Sequence, residues 1–178
     1  MNRTAKRIWN SITTIISVAF VAVAILLSGV KMVGLTPLCV LSGSMEPTYK
    51  TGSMIYVKKT EAEKIKVNDA ITFYMDDGKT LATHRVIKVD TKNKQFYTKG
   101  DANSFADPKA VEFDRAIGKP VFTIPYLGYL ASFVTSHVGK FISILVAGLL
   151  ILSFFGPDFI NREKENKNKL QDKQQAVK

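Results

Sequence analysis

The residues of this 178-residue chain that could do chemistry lie in three short stretches. The first is Leu41-Ser42-Gly43-Ser44-Met45-Glu46-Pro47-Thr48, a loop of small residues. Glycine allows a tight backbone there that can present a serine hydroxyl, and Pro47 fixes the chain just beyond. A hydroxyl is too weakly acidic to attack a carbonyl unaided, so a nucleophilic serine needs a base. The chain has two histidines. His137 stands at the edge of an apolar run, whereas His84 stands mid-strand in Thr83-His84-Arg85. The third stretch, Gly100-Asp101-Ala102-Asn103-Ser104-Phe105-Ala106-Asp107, offers two carboxylates in a Gly/Asn loop. A small-residue turn, a strand histidine and an Asx loop are each more often structural than functional. A serine, a histidine and an aspartate in chain order on one small domain together raise the odds of nucleophilic catalysis above what any one of them carries.

These stretches have to be held by something, and the apolar residues outline what. No charge occurs from Ile8 to Val30, and these 23 residues would span roughly 34 Å as a helix, enough for the hydrocarbon core of a bilayer. The competing reading is a cleaved leader: Arg3, Lys6 and Arg7 form a basic start, and Ala22-Val23-Ala24 has an A-x-A form. The apolar run continues past that point through Ile25-Leu26-Leu27, which favours a retained anchor. A second uncharged run, Phe141 to Pro157, has 17 residues, the lower limit for a span, and Lys140 could snorkel to lengthen it. A buried or interfacial helix is the alternative, but only a charged tail follows, so a second transmembrane helix is expected. Basic residues flank the outer ends of both runs, which places both termini in the cytoplasm by the positive-inside rule. The expected organisation is a cytoplasmic leader over 1–7, a transmembrane helix over 8–30, an extracytoplasmic domain over 31–139, a transmembrane helix over 140–157 and a charged cytoplasmic tail over 158–178.

The middle segment reads as mainly β. Ser53–Val57, Ala70–Met75, Thr80–Val89, Gln95–Thr98 and Val121–Ile124 are runs of β-branched and aromatic residues, and Asp76-Asp77-Gly78 and Thr91-Lys92-Asn93-Lys94 are turn signals between them. Strands joined by short turns, without helical periods between them, predict a small antiparallel sheet or barrel. The uncharged stretch from Pro120 to Gly139 carries Phe122, Tyr126, Tyr129 and Phe133. It reads either as an interfacial aromatic belt or as a strand followed by the start of the second helix.

Composition excludes several classes. The single Cys39 leaves no internal disulfide framework and no Cys-rich zinc site. The net charge of +10 would suit a nucleic-acid binder, but it is distributed. Residues 31–140 hold 16 basic and 11 acidic residues with no cluster, so no nucleic-acid partner is expected.

Taken together, the stretches resemble a family. Ser42 to Thr48, soon after an N-terminal apolar run, looks like the serine box of type I signal peptidases. Thr83-His84-Arg85-Val86 looks like the base box of the histidine-using, endoplasmic-reticulum and archaeal-type subgroup, which includes the SipW-like enzymes of Gram-positive spore formers. Thr98-Lys99-Gly100-Asp101-Ala102-Asn103 resembles the Gly-Asp box, with Asp107 at the position of a second acidic residue, and Val121 to Gly128 resembles the closing segment. The resemblance implies a signal-peptidase-like β domain and a plasma-membrane serine endopeptidase that removes signal peptides from exported preproteins after small residues.

The resemblance also implies roles. Ser44 would be the nucleophile and His84 the base. Asp107 or Asp101 would orient the imidazole, and the two are not separated by the resemblance. The Ser44 amide and the Ser42 hydroxyl would form the oxyanion site, and Met45 would form a wall of a shallow substrate pocket. No metal or organic cofactor is needed. The expected partners are preprotein signal peptides, the lipid bilayer and the protein-export channel. Two other readings remain: a Ser/Lys self-cleaving relative using a lysine such as Lys88, which the Thr-His-Arg context disfavours, and a non-catalytic membrane-anchored β domain that binds or scaffolds exported proteins.

Overall fold

The computed structural model describes residues 3–153. The described chain divides into two compact units: one runs from Ala24 to Phe133, and the other holds the remaining described residues, up to Val23 and from Val134.

The first unit is built on one seven-stranded antiparallel sheet. Its strands are β1 (Leu35–Cys39), β2 (Met54–Lys59), β3 (Ala70–Tyr74), β4 (Leu81–Asp90), β5 (Gln95–Lys99), β6 (Val111–Glu112) and β7 (Ala116–Ile124), and they lie in the order β1-β2-β7-β3-β4-β5-β6. The mainly β expectation holds in this unit. Four of the five expected strands coincide with β2, β3, β4 and β5 to within a residue or two. The fifth, Val121–Ile124, is only the end of β7, which starts five residues earlier. Gly118 and Pro120 make that earlier part read as broken. Pro120 faces Val57 beside a bulge between Tyr56 and Val57, where a missing N–H is tolerated. β1 is a further strand, and it contains Pro37; an edge strand can hold a proline because one side of its ladder is unpaired.

β7 hands the sheet over from one half to the other. Its end pairs with β2 and its start with β3. Gly118 makes this possible, since a Cβ there would lie 2.0 Å from the Lys58 carbonyl oxygen. Two cores result. Ile65, Ile71, Phe73, Val86, Phe96 and Val111 pack under β3 to β6. Met54, Tyr56, Leu127 and Ala131 pack with Leu26, Leu27, Val30 and Leu35 on the β1–β2 side. Ile71, Val86 and Phe96 are fully buried, each contributing about 1.5–3 kcal/mol relative to an exposed side chain. In the second core the Tyr56 hydroxyl donates to the Leu26 carbonyl at 3.0 Å, which satisfies an otherwise buried polar group.

After β7 the chain turns through Tyr126, at φ 62, into a helix, α2 (Leu127–Thr135). A helix therefore follows the strand in this stretch, with Leu127 and Ala131 as its buried face.

The other unit contains most of the N-terminal helix α1 (Arg3–Leu27) and a helix α3 (His137–Ser153). Ser136 caps α3, its hydroxyl accepting from the Gly139 amide at 3.0 Å. Within α1, residues Arg7–Leu27 are long and apolar enough to cross a membrane. Among the described residues this is the one helix that meets the criterion alone; α2 and α3 meet it only together, as a bent pair. Of the second span expected over 140–157, the part up to Ser153 lies in α3. Residues 154–157 and the tail 158–178 lie outside the described residues.

Candidate active site

The serine loop leaves β1 at Val40 and returns to β2 at Ser53, closed by a bond from the Val40 amide to the Ser53 carbonyl at 2.9 Å and one from the Gly52 amide to the Val40 carbonyl at 2.9 Å. Glu46 braces it internally, accepting from both the amide and the hydroxyl of Thr51 at 3.2 Å. Ser44 sits at its turn. Met45, the next residue, is buried, and the local twist leaves Ser44 only partly covered.

β4 brings the histidine. His84 is paired across the sheet with Ile71, and its Nε2 is 3.2 Å from Ser44 Oγ. On the other side of the ring, Nδ1 is 2.6 Å from Asp107 Oδ2. A carboxylate at Nδ1 selects the tautomer with the proton there, which leaves Nε2 free to accept the serine proton. Thr98, fully buried on β5, donates its hydroxyl to the same Asp107 oxygen at 2.6 Å, and the Asp107 amide donates to the Thr98 carbonyl at 2.8 Å. Ser44, His84, Asp107 and Thr98 thus form one continuous chain of contacts.

Asp101 lies elsewhere. It takes two bonds from Arg85, Nε to Oδ1 at 2.7 Å and Nη2 to Oδ2 at 2.6 Å, and a third from the Thr48 hydroxyl at 2.6 Å. Strand geometry explains the division. His84 and Arg85 are neighbours on β4, so their side chains leave opposite faces of the sheet. The loop from Gly100 to Asp107 rounds the strand and offers one carboxylate to each. Arg85 also donates to the Asn68 carbonyl at 2.7 Å. Its paired guanidinium holds the Asp101 carboxyl below the usual carboxylate range, with burial opposing and the Thr48 hydroxyl assisting. The same pairing raises Arg85. Asp101 and Thr48 therefore tie the Gly-Asp loop to the serine loop, a second link being the bond from the Ala102 amide to the Ser44 carbonyl at 2.9 Å.

Gly100 is required by that close approach rather than by its backbone angles. A Cβ there would stand 2.6 Å from the Ser44 carbonyl oxygen and 2.7 Å from Asn103 Nδ2.

A groove of about 670 Å³ runs up to the serine and histidine. Leu38, Val40, Met45, Ile55, Leu81 and Ala82 give it apolar walls, and Ser44, His84 and Asn103 stand in its lining. Ser42 also lines it, with its hydroxyl 3.3 Å from Ser44 Oγ. Tyr49 contributes an aromatic wall, and burial pushes its phenol pKa up. His137 begins α3, in the other compact unit. Among the described residues no group of three or more His, Cys, Asp or Glu is placed to hold a metal ion.

Of the residues singled out in sequence, Ser42, Ser44, Met45 and His84 share this groove, Asp107 joins them through His84, and Asp101 braces the site through Arg85. Thr98, Thr48 and Arg85 were not singled out for these contacts. All three lie inside the boxes that carry the resemblance, but only folding the loop back over β5 gives each its partner.

The comparisons with known proteins fall on the same stretch. The model of the family described as signal peptidase, peptidase S26, matches residues 12–110, more than half of the chain and all of the site. Signal peptidase I W of Bacillus subtilis (strain 168) is 44% identical over 81 residues, covering 44% of this chain and 42% of that protein. The putative signal peptidase complex catalytic subunit SEC11B of Homo sapiens is 27% identical over 128 residues, 66% of this chain and 77% of that one. The catalytic subunit SEC11C of Rattus norvegicus is 30% identical over 118 residues, 61% of each chain. The chain thus spans less than half the length of the Bacillus relative it matches. With the family model covering the serine loop, the histidine strand and both carboxylates, the chain belongs to the signal peptidase family, peptidase S26.

Proposed function

We propose that this protein is a membrane-bound serine endopeptidase that removes N-terminal signal peptides from exported preproteins, cutting after small residues. The observation that carries the reading is the chain Ser44–His84–Asp107 at the end of an apolar groove.

In this reading Ser44 Oγ attacks the carbonyl carbon of the residue before the cut, and His84 Nε2 takes its proton. Asp107 holds the imidazole through Nδ1 and stabilises its charged form, with Thr98 fixing the carboxylate in turn. The tetrahedral oxyanion is held by the Ser44 amide and the Ser42 hydroxyl, and losing one such donor costs about 10²–10³-fold in rate. The imidazolium then protonates the leaving amine. Water, activated by the same histidine, hydrolyses the acyl-enzyme and returns Ser44 to its starting form.

The residues before the cut lie extended in the groove, alongside β1 and the start of β4. That end of β4 pairs with β3, while its ladder with β5 begins only at Arg85, so Leu81 to His84 have an edge to offer a peptide. Met45 and Leu81 close the groove to bulky side chains, which favours alanine-sized residues before the cut. α1 and the segment around α3 act as two membrane passes with both termini in the cytoplasm, holding the site where signal peptides emerge from the export channel and raising their local concentration.

The test is incubation of the detergent-solubilised protein with a labelled preprotein, wild type against Ser44→Ala. Cleavage by the wild type and none by the variant is the expected result. Undiminished cleavage by Ser44→Ala removes the nucleophile, and binding without cleavage by the wild type returns the scaffold reading.

A further inference from the structure

Phe105 stands out among the aromatic residues of the sheet unit, being 84% exposed at the crest of the 101–107 loop. A single exposed apolar side chain is ordinary on a protein surface, and Leu41 is 83% exposed as well; what marks Phe105 is the loop that carries it. The loop is not a loose excursion. At one end the Ala102 amide donates to the Ser44 carbonyl at 2.9 Å, and the next residue, Asn103, lines the groove. At the other end Asp107 contacts His84 Nδ1 at 2.6 Å. The crest is therefore carried between the backbone of the serine and the side chain of the histidine, and both ends are tied down.

The polarity of a substrate supplies the occupant. Peptide before the cut fills the groove lined by Leu38, Val40 and Leu81. The leaving amine must reach His84 Nε2, so the peptide after the cut departs from the Ser44–His84 end of that groove. This is the end that the 101–107 loop borders. We infer that Phe105 is a specificity-determining residue that receives an apolar side chain from the first few residues after the cut, so that the enzyme reads the start of the mature protein as well as the end of the signal peptide. The inference rests on the proposed peptidase reading and extends it to the other side of the scissile bond.

The experiment uses two substrates with the same residues before the cut. One continues after it with a segment carrying leucine at the second position; the other ends there in an aminocoumarin amide and has no peptide after the cut. Both are assayed in detergent with the full chain, wild type, Phe105→Ala and Phe105→Leu. The expected result is a rise of about tenfold in KM for the extended peptide with Phe105→Ala, little change in kcat, partial rescue with Phe105→Leu, and no change for the coumarin amide. Replacing the leucine by aspartate should abolish the difference between wild type and Phe105→Ala. An equal loss on both substrates, or none on either, overturns the inference while leaving the peptidase reading intact. The same assay is repeated in lipid vesicles, and a loss that occurs there but not in detergent makes Phe105 a bilayer contact and also overturns the inference. If wild type cleaves neither substrate, the peptidase reading falls, and this inference with it.

Discussion

Replacing Gly100 by alanine should disable the site without unfolding the sheet. The new Cβ would stand 2.6 Å from the Ser44 carbonyl oxygen, where ordinary contact begins near 3.4 Å. The neighbour is backbone, so no side-chain rotation relieves the clash; the serine loop and the Gly-Asp loop must part by about 0.8 Å, and a misplacement near 1 Å can cost about 10²-fold in rate. The consequence for the reacting atoms is direct. Ser44 Oγ and His84 Nε2 are already 3.2 Å apart, the long end of a hydrogen bond, and the same displacement would take them to about 4 Å, beyond one. The Ser44 carbonyl also accepts the Ala102 amide at 2.9 Å, and losing that bond costs about 0.5–1.5 kcal/mol of local stability. The expected outcome is a fall of about 10²-fold in kcat on a signal-peptide substrate, with KM little changed and the thermal midpoint lowered by a few degrees. The assay is steady-state cleavage in detergent, paired with a melting curve on the same sample. Activity within threefold of wild type would refute the claim that this contact sets the serine position. Loss of the folded state would refute the claim that the strain is local.

Further outcomes follow from the same geometry. Asp107→Asn removes the acceptor that fixes the His84 tautomer and should lower kcat by about 10⁴-fold, whereas Asp101→Asn, which leaves His84 its partner, should stay within about tenfold of wild type; equal losses would merge the two roles. Asp101 is held below the usual carboxylate range by Arg85, so its contribution to stability is fully present above the unfolded value, about 3.9, and is lost as pH falls through the lower folded value. The gap in melting temperature between wild type and Asp101→Asn should therefore close as pH drops from 6 towards 3, and a gap independent of pH would rule this linkage out. Gly118→Ala drives a Cβ to 2.0 Å from the Lys58 carbonyl oxygen and should cost about 3 kcal/mol in a denaturant titration by separating β2 from β7. A neutral result there would mean that the two halves of the sheet are not held through that contact.

How far each element could be read from sequence depends on how local its cause is. The strands β2 to β5 follow from β-branched runs punctuated by Asp76-Asp77-Gly78 and Thr91–Lys94, signals contained within a dozen residues. The helix over Arg7–Leu27 follows from the absence of charge. The pairing of Ser44 with His84 was legible from chemistry, since a serine loop needs a base and only two histidines exist. β1 and the first half of β7 were hidden by Pro37, Gly118 and Pro120. A proline argues against a strand until its place at an edge or a bulge is known, and those places exist only in the assembled sheet.

The division between the two aspartates is the clearest case of the other kind. Asp101 and Asp107 lie six residues apart in one loop, with the same charge and the same reach, and nothing in their neighbourhood distinguishes them. What separates them is that β4 sends His84 and Arg85 to opposite faces and that the loop rounds the strand edge, so the nearer carboxylate meets the guanidinium and the farther one meets the imidazole. Gly100 belongs with them, because its need for a bare Cα comes from a backbone carbonyl 56 positions earlier in the chain. By itself the sequence determined which residue types could react and which segments were apolar or extended, since both are properties of short stretches. Which carboxylate serves the histidine, and how close the serine comes to it, was decided by tertiary structure, because those are distances between segments that only the closed sheet brings together.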